Sequence, residues 1–156
     1  MLDRYSSRRT KGKLAEQFLV EKLKDAASYD RIAGYFCSSI LEIAGEAVEG
    51  ISGKIRIICN SSLAPDDVKI AAYARMRMKQ EWGGYEPEEK FNTEAAQLRL
   101  KKLYELLSSD KMEIKVLPDE VYGLMHGKAG VITYKDGRKS CFLGSINETR
   151  NAWTVN

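Results

Sequence analysis

Residues 124–147 read LMHGKAGVITYKDGRKSCFLGSIN, and this stretch decides the fold. Leu124 to Tyr134 has the apolar, β-branched character of a strand. Asp136-Gly137 is a hairpin turn signal, and Lys139 to Leu143 returns. The chain is therefore expected to close with an antiparallel pair. In an extended strand residues two apart share a face, so His126 and Lys128 are predicted to project together. Gly144, Ser145 and Asn147 follow on the returning side.

Working towards the N-terminus, Met112 to Leu117 (MEIKVL) and Lys54 to Cys59 (KIRIIC) alternate as half-buried strands do. Tyr29 to Phe36 (YDRIAGYF) reads as a further strand. Helical spacing runs from Lys13 to about Ala27 through Leu14, Phe18, Leu19 and Leu23. It recurs from Ser38 to about Val48, from Ala64-Pro65 to about Trp82, and from Thr93 to Leu107, where Asn92-Thr93-Glu94 offers a cap. Gly83-Gly84 to Pro87 is a break. Strands separated by helices predict an α/β layered fold, a mixed β-sheet flanked by helices.

At 156 residues the chain is one domain. A hydrophobic share of 44% is enough for a real core, and no apolar run reaches the roughly 18 residues that would cross a bilayer. The N-terminus is polar and basic and has no signal-peptide core. Cys37, Cys59 and Cys141 all sit in apolar runs, are odd in number and form no CxxC, so they read as buried, reduced thiols in a cytoplasmic protein. That pattern argues against a structural zinc site. The net charge of +3 permits a polyanionic partner without requiring one. Residues 1–12 form a basic arm in which Arg8, Arg9 and Lys11 are either solvated charges or phosphate contacts. Arg75 is a further candidate nucleic-acid contact, in a helical segment where Arg75, Arg77 and Lys79 do not share one face. Residues 13–156 make up the folded domain.

His126 is the only histidine. An isolated histidine is usually surface or core. Here a lysine stands two residues on and an asparagine follows at hairpin distance. Imidazole can attack phosphorus or move a proton near neutral pH, while ammonium and amide donors hold non-bridging oxygens. The group suits a phosphodiester, with Ser145 able to add a hydrogen bond. Glu148 reads as a helix N-terminal charge, with a site carboxylate as the alternative. Trp153 reads as packing. Asn60-Ser61-Ser62 reads as a connecting loop, with lining of a site as the alternative.

His126-Gly127-Lys128 and Gly144-Ser145-Ile146-Asn147 resemble the H-x-K and G-S-x-N signatures of the phospholipase D superfamily. The strand ending in GYF and the KIRIICN segment are similar to the core of its small nucleases and helicase-linked members. Thr133 stands where the superfamily has an aspartate, five residues after the lysine. The resemblance implies a phosphohistidine on His126, with phosphate oxygens held by Lys128, Asn147 and Ser145. It implies no metal and no cofactor. A second histidine is needed to protonate the leaving oxygen. One copy has a single histidine, so the resemblance implies a homodimer that completes the active site.

The chain stops three residues after Trp153, and it is expected to be the N-terminal module of a longer protein, a helicase or restriction-type enzyme. The function expected is a DNA phosphodiesterase. The alternative is a catalytically weak DNA-binding or dimerisation module, which would have no turnover to lose on His126→Ala. A lipid phosphodiesterase is a third reading.

Overall fold

The computed structural model describes residues 13–60, 63–78, 93–123 and 125–154. Five strands and six helical elements alternate along it. Helix α1 is a π-helical stretch, Ala15–Val20, continued by Glu21–Leu23. Strand β1 is Ala26–Ile32. Helix α2 opens with a 3-10 turn, Ser38–Ile40, and runs through Leu41–Gly50. Strand β2 is Ile55–Asn60, α3 is Pro65–Met78 and α4 is Glu94–Ser108. Strand β3 (Met112–Leu117), a short α5 (Asp119–Tyr122), β4 (Lys128–Tyr134), β5 (Lys139–Gly144) and α6 (Arg150–Thr154) complete the chain.

The sheet order is β3-β2-β1-β4-β5. Strands β1, β2 and β3 are parallel, whereas β4 is antiparallel to β1 and β5 to β4. The mixed α/β sheet is thus as expected. Its buried face carries Tyr29, Arg31, Ile55, Ile57 and Ile132. These pack with Leu19 and Leu23 of α1, Leu41 and Val48 of α2, and Leu100 and Leu103 of α4. Trp153 is buried and stacks at 6.0 Å on Phe18 of α1, so its packing role holds. The Thr93 hydroxyl accepts from the Ala96 amide at 3.1 Å, which caps α4 as its sequence suggests. The opposite face of the sheet presents Asp30, Ile32, Arg56, Ile58, Ala129 and Val131 to a shallow groove. Among the described residues no helix is long and apolar enough to cross a membrane.

Several boundaries differ from the sequence reading. Helix α1 ends at Leu23 rather than near Ala27, because Ala26 and Ser28 pair with Tyr134 and Thr133 of β4. Tertiary pairing here overrides the helical tendency of alanine. Strand β1 ends at Ile32, since Gly34 to Cys37 leave the sheet to meet a different partner. Strand β4 starts at Lys128, not Leu124. Its pairing with β1 ends at Ala129↔Ile32, so residues 125–127 have no strand on that side to extend against. The expected end of α3 near Trp82 and the break at Gly83-Gly84 lie outside the described residues, as do Arg8, Arg9 and Lys11.

The cysteines do not form one class. Cys59 is buried, Cys37 half-buried and Cys141 exposed, because Cys141 pairs with Val131 on the open face of the sheet. Burial pushes the Cys59 thiol up to about 11. A thiol reagent at neutral pH is expected to modify Cys141 at once and Cys59 only after unfolding. Fast modification of Cys59 in the folded protein, read by mass spectrometry, would overturn this placement.

Candidate active site

The parallel strands β1 and β2 end at the edge of the sheet where β4 begins, because β4 runs the other way. Lys128, the first residue of β4, pairs directly with Gly144, the last of β5. The hairpin therefore brings these two together. It does not place Asn147. Residues after Gly144 cross the start of β4, and Glu148 forms a parallel bridge with Phe36 beyond the end of β1. The Glu148 amide donates to the Tyr35 carbonyl at 3.0 Å, and the Cys37 amide donates to the Glu148 carbonyl at 3.0 Å. A crossing anchored by main-chain bonds, rather than the hairpin alone, carries Asn147 to the site.

Three polar atoms converge over Gly34. A Cβ built there would lie 3.1 Å from Lys128 Nζ, 3.2 Å from Asn147 Oδ1 and 3.2 Å from the Met125 carbonyl oxygen. Gly34 is thus the floor of the site, and its lack of a side chain lets these three atoms approach so closely. The Tyr35 amide donates to Asn147 Oδ1 at 3.1 Å. That bond fixes the amide so that its NH2 end is the one turned elsewhere, as a donor. Lys128 Nζ donates to the His126 carbonyl at 2.8 Å, leaving two of its three protons for other acceptors.

His126 itself precedes β4 and is exposed. The strand geometry assumed for His126 is corrected here: it lies on a short connection, held from both sides. On one side is the Lys128 ammonium on its carbonyl. On the other is Asn60, buried at the end of β2. The Asn60 side-chain amide donates to the Met125 carbonyl and accepts from the Met125 amide, both at 3.1 Å. Asn60 completes for Met125 the pairing a neighbouring strand would have supplied. Ser145 is exposed just beyond Gly144. Arg75 is exposed on α3, ten residues into a helix that starts beyond the end of β2, hence about 15 Å along its axis. Nothing among the described contacts draws it towards Lys128.

Asn60→Ala removes both bonds from a buried position. It is expected to cost about 1–3 kcal/mol of stability. Any turnover that depends on His126 should fall by roughly ten- to a hundredfold, because the imidazole loses its anchor. The check is a melting curve together with kcat and KM; unchanged kcat in a folded variant would remove Asn60 from the site.

Beneath the site lies a buried carboxylate. Alternation along the extended segment turns Asn147 towards Gly34 and Glu148 into the core. The Glu148 carboxylate accepts from Arg31 Nε at 2.8 Å and from the Tyr29 hydroxyl at 3.1 Å. Both side chains of the ion pair are almost fully buried. Arg31 Nη2 also donates to the Ile146 carbonyl. Burial first, and then the charge of Glu148, hold the Tyr29 phenol well above its ordinary value, so it stays a donor. Gly130 sits between Arg31 and Phe142 in the register of β1, β4 and β5. A Cβ on Gly130 would meet the Phe142 ring at 2.2 Å. The ring folds over the bare backbone and lies 5.0 Å from the Arg31 guanidinium, a cation–π contact. Glu148 is therefore not the helix N-terminal charge it was read as. It is the post that fastens the Ile146–Glu148 segment to β1. No sequence signal links Arg31 to Glu148, which lie more than a hundred residues apart.

Thr133, at the position of the superfamily aspartate, lies five residues along β4 from Lys128, roughly 17 Å away. It pairs with Ser28 and Lys139, so its lack of a carboxylate takes nothing from the atoms around Gly34. Asp136, in the turn, is held low by its bonds from Arg138 and is more distant still. Among the described residues no cluster of histidine, cysteine and acidic side chains could hold a metal ion.

Residues 19–156 match the model of a family described as cardiolipin synthase, PLD-like domain. No curated protein and no solved structure matches the chain.

Proposed function

Because the chain belongs to the phospholipase D-like domain family over residues 19–156, we propose that it is a phosphodiesterase that hydrolyses nucleic acid through a phosphohistidine on His126. The observation that carries this reading is the convergence of Lys128 Nζ and Asn147 Oδ1 over Gly34, beside the connection that bears His126. The two remaining ammonium protons of Lys128 suit the non-bridging oxygens of a phosphodiester, whose charge grows as the nucleophile adds, and Asn147, its Oδ1 held by the Tyr35 amide, keeps its NH2 for a further acceptor. His126 attacks phosphorus, forming the P–N bond as the P–O bond to the leaving strand breaks. The leaving oxygen takes a proton from a second imidazole. That same imidazole then removes a proton from water, which breaks the P–N bond and regenerates His126. Ser145, exposed next to Gly144, is within the same segment and can add a donor to the phosphate.

We assign the second imidazole to a second copy, since these 156 residues hold one histidine. A homodimer that pairs two His126 sites belongs to the proposal. So do a DNA substrate, the basic residues Arg8, Arg9, Lys11 and Arg75 as strand contacts, and a helicase or restriction-type protein as the wider setting. The net charge of +3 supports a polyanion. The description of the matched family favours a second reading, phosphatidyl transfer, in which a lipid hydroxyl takes the place of water at the same phosphohistidine. Cleavage of labelled DNA in excess EDTA tests the first reading. Turnover of phosphatidylglycerol vesicles without DNA cleavage would support the second and displace the first.

A further inference from the structure

A cleft of about 350 Å³ opens beside Asn147, lined by Tyr35, Cys37, Ser39, Glu42, Arg99 and Arg150 among others. It shares a wall with the site over Gly34, since Tyr35 both lines the cleft and donates its amide to Asn147. Three elements supply its charges: Glu42 from α2, Arg99 from α4 and Arg150 from α6. The Glu42 carboxylate accepts from Arg99 Nη1 at 2.6 Å and from Arg150 Nη1 at 2.9 Å. Among the lining residues one carboxylate stands between two guanidiniums and holds both forks in place, while the buried Asp67 carboxylate, spent on the Ser38 amide, adds a second negative charge near Tyr35 and Arg99. Glu42 does not satisfy the two guanidiniums. Arg99 Nε is buried with no hydrogen-bond partner among the described residues, and the Arg150 side chain is 55% exposed. An unspent buried donor beside an exposed guanidinium lacks an anion with several acceptor oxygens.

We propose that this cleft binds a second phosphate of a polynucleotide strand, the neighbour of the one over Gly34. The inference rests on the nucleic-acid reading above. Arg150 is three residues after Asn147, so the two stand at most about 10 Å apart, within reach of the next phosphate of an extended strand. Tyr35 lies between the two phosphates and offers a ring on which the intervening base stacks. Apart from that ring and Cys37 the lining is polar, which suits a nucleotide better than acyl chains. A helix clamp made by Glu42, Arg99 and Arg150 alone would leave the Arg99 donor without a purpose.

The test uses binding, so that it does not depend on turnover. In a His126→Ala background, dinucleotides with and without a 5′-phosphate are titrated by calorimetry. The 5′-phosphate is expected to tighten binding by about tenfold, and Arg150→Ala should bring that ratio close to unity. For a longer single strand, Arg150→Ala should lower the slope of log K against log salt by about 0.7, and Arg150→Lys should restore most of it. A clamp without a ligand would shift the melting temperature and leave ratio and slope unchanged, which overturns the proposal. Arg150-dependent binding of cardiolipin vesicles but not of oligonucleotides also overturns it. If the wild type cuts no DNA yet the phosphate ratio depends on Arg150, the cleft stands and the hydrolysis does not. Cutting with an Arg150-independent ratio is the reverse.

Discussion

His126→Ala is expected to lower cleavage of labelled DNA in excess EDTA by at least about 10²–10⁴-fold while leaving the protein folded. The side chain is exposed, so its loss should move the melting temperature by little. DNA binding should persist, because Lys128 and Asn147 remain over Gly34. The proposed dimer sharpens the expectation. If each site draws one imidazole from either copy, wild type mixed with excess His126→Ala protein should lose activity more than in proportion to its dilution. A linear loss would remove the shared site and leave a single-copy mechanism to be found. Cleavage by His126→Ala at the wild-type rate would end the phosphohistidine reading altogether.

The second large effect concerns stability. Glu148→Ala leaves the Arg31 guanidinium buried without its carboxylate, at a cost of about 3–5 kcal/mol. For a chain of this length that is a fall of roughly 10 °C or more in Tm. Tyr29 loses its acceptor as well. The Ile146–Glu148 segment then keeps its main-chain bonds to Tyr35 and Cys37, the Tyr35 amide on Asn147 Oδ1 and an Arg31 no longer held by its carboxylate, so Asn147 should be placed less firmly and turnover should fall beyond what unfolding explains. Replacing the pair together, Arg31→Met with Glu148→Leu, is expected to recover much of the lost stability, since similar volumes without charge fill the same space. A melting temperature for Glu148→Ala equal to that of wild type would show that the pair is not the post described above.

Local patterns were legible wherever one residue's neighbours along the chain decide its state. The alternation in KIRIIC and MEIKVL read correctly because one face of each strand is buried and the other is not. The Asp136-Gly137 turn was legible because Gly137 adopts a positive φ that glycine accepts freely. The capping threonine and the amphipathic α4 were legible for the same local reasons. Strand ends were not, because they depend on which partner is still alongside. Ala26-Ala27-Ser28 has little strand character and is a strand only because β4 lies beside it. Met125 to Gly127 looks like strand and is not, because β1 has already turned away.

The sequence by itself determined the layered α/β architecture, the closing hairpin and the family, matched over residues 19–156, and it named His126, Lys128, Ser145 and Asn147 as the candidates for the proposed site. Only the tertiary structure decided how those residues are held. Asn60 clamps the backbone beside His126, Gly34 leaves the space into which Lys128 and Asn147 converge, and Arg31 with Tyr29 fastens Glu148. The reason is physical. Periodicity reports which face of an element is buried, a property of neighbours along the chain. A hydrogen bond between residues 31 and 148, or between 60 and 125, depends on chain crossings that leave no spacing in the sequence to be read.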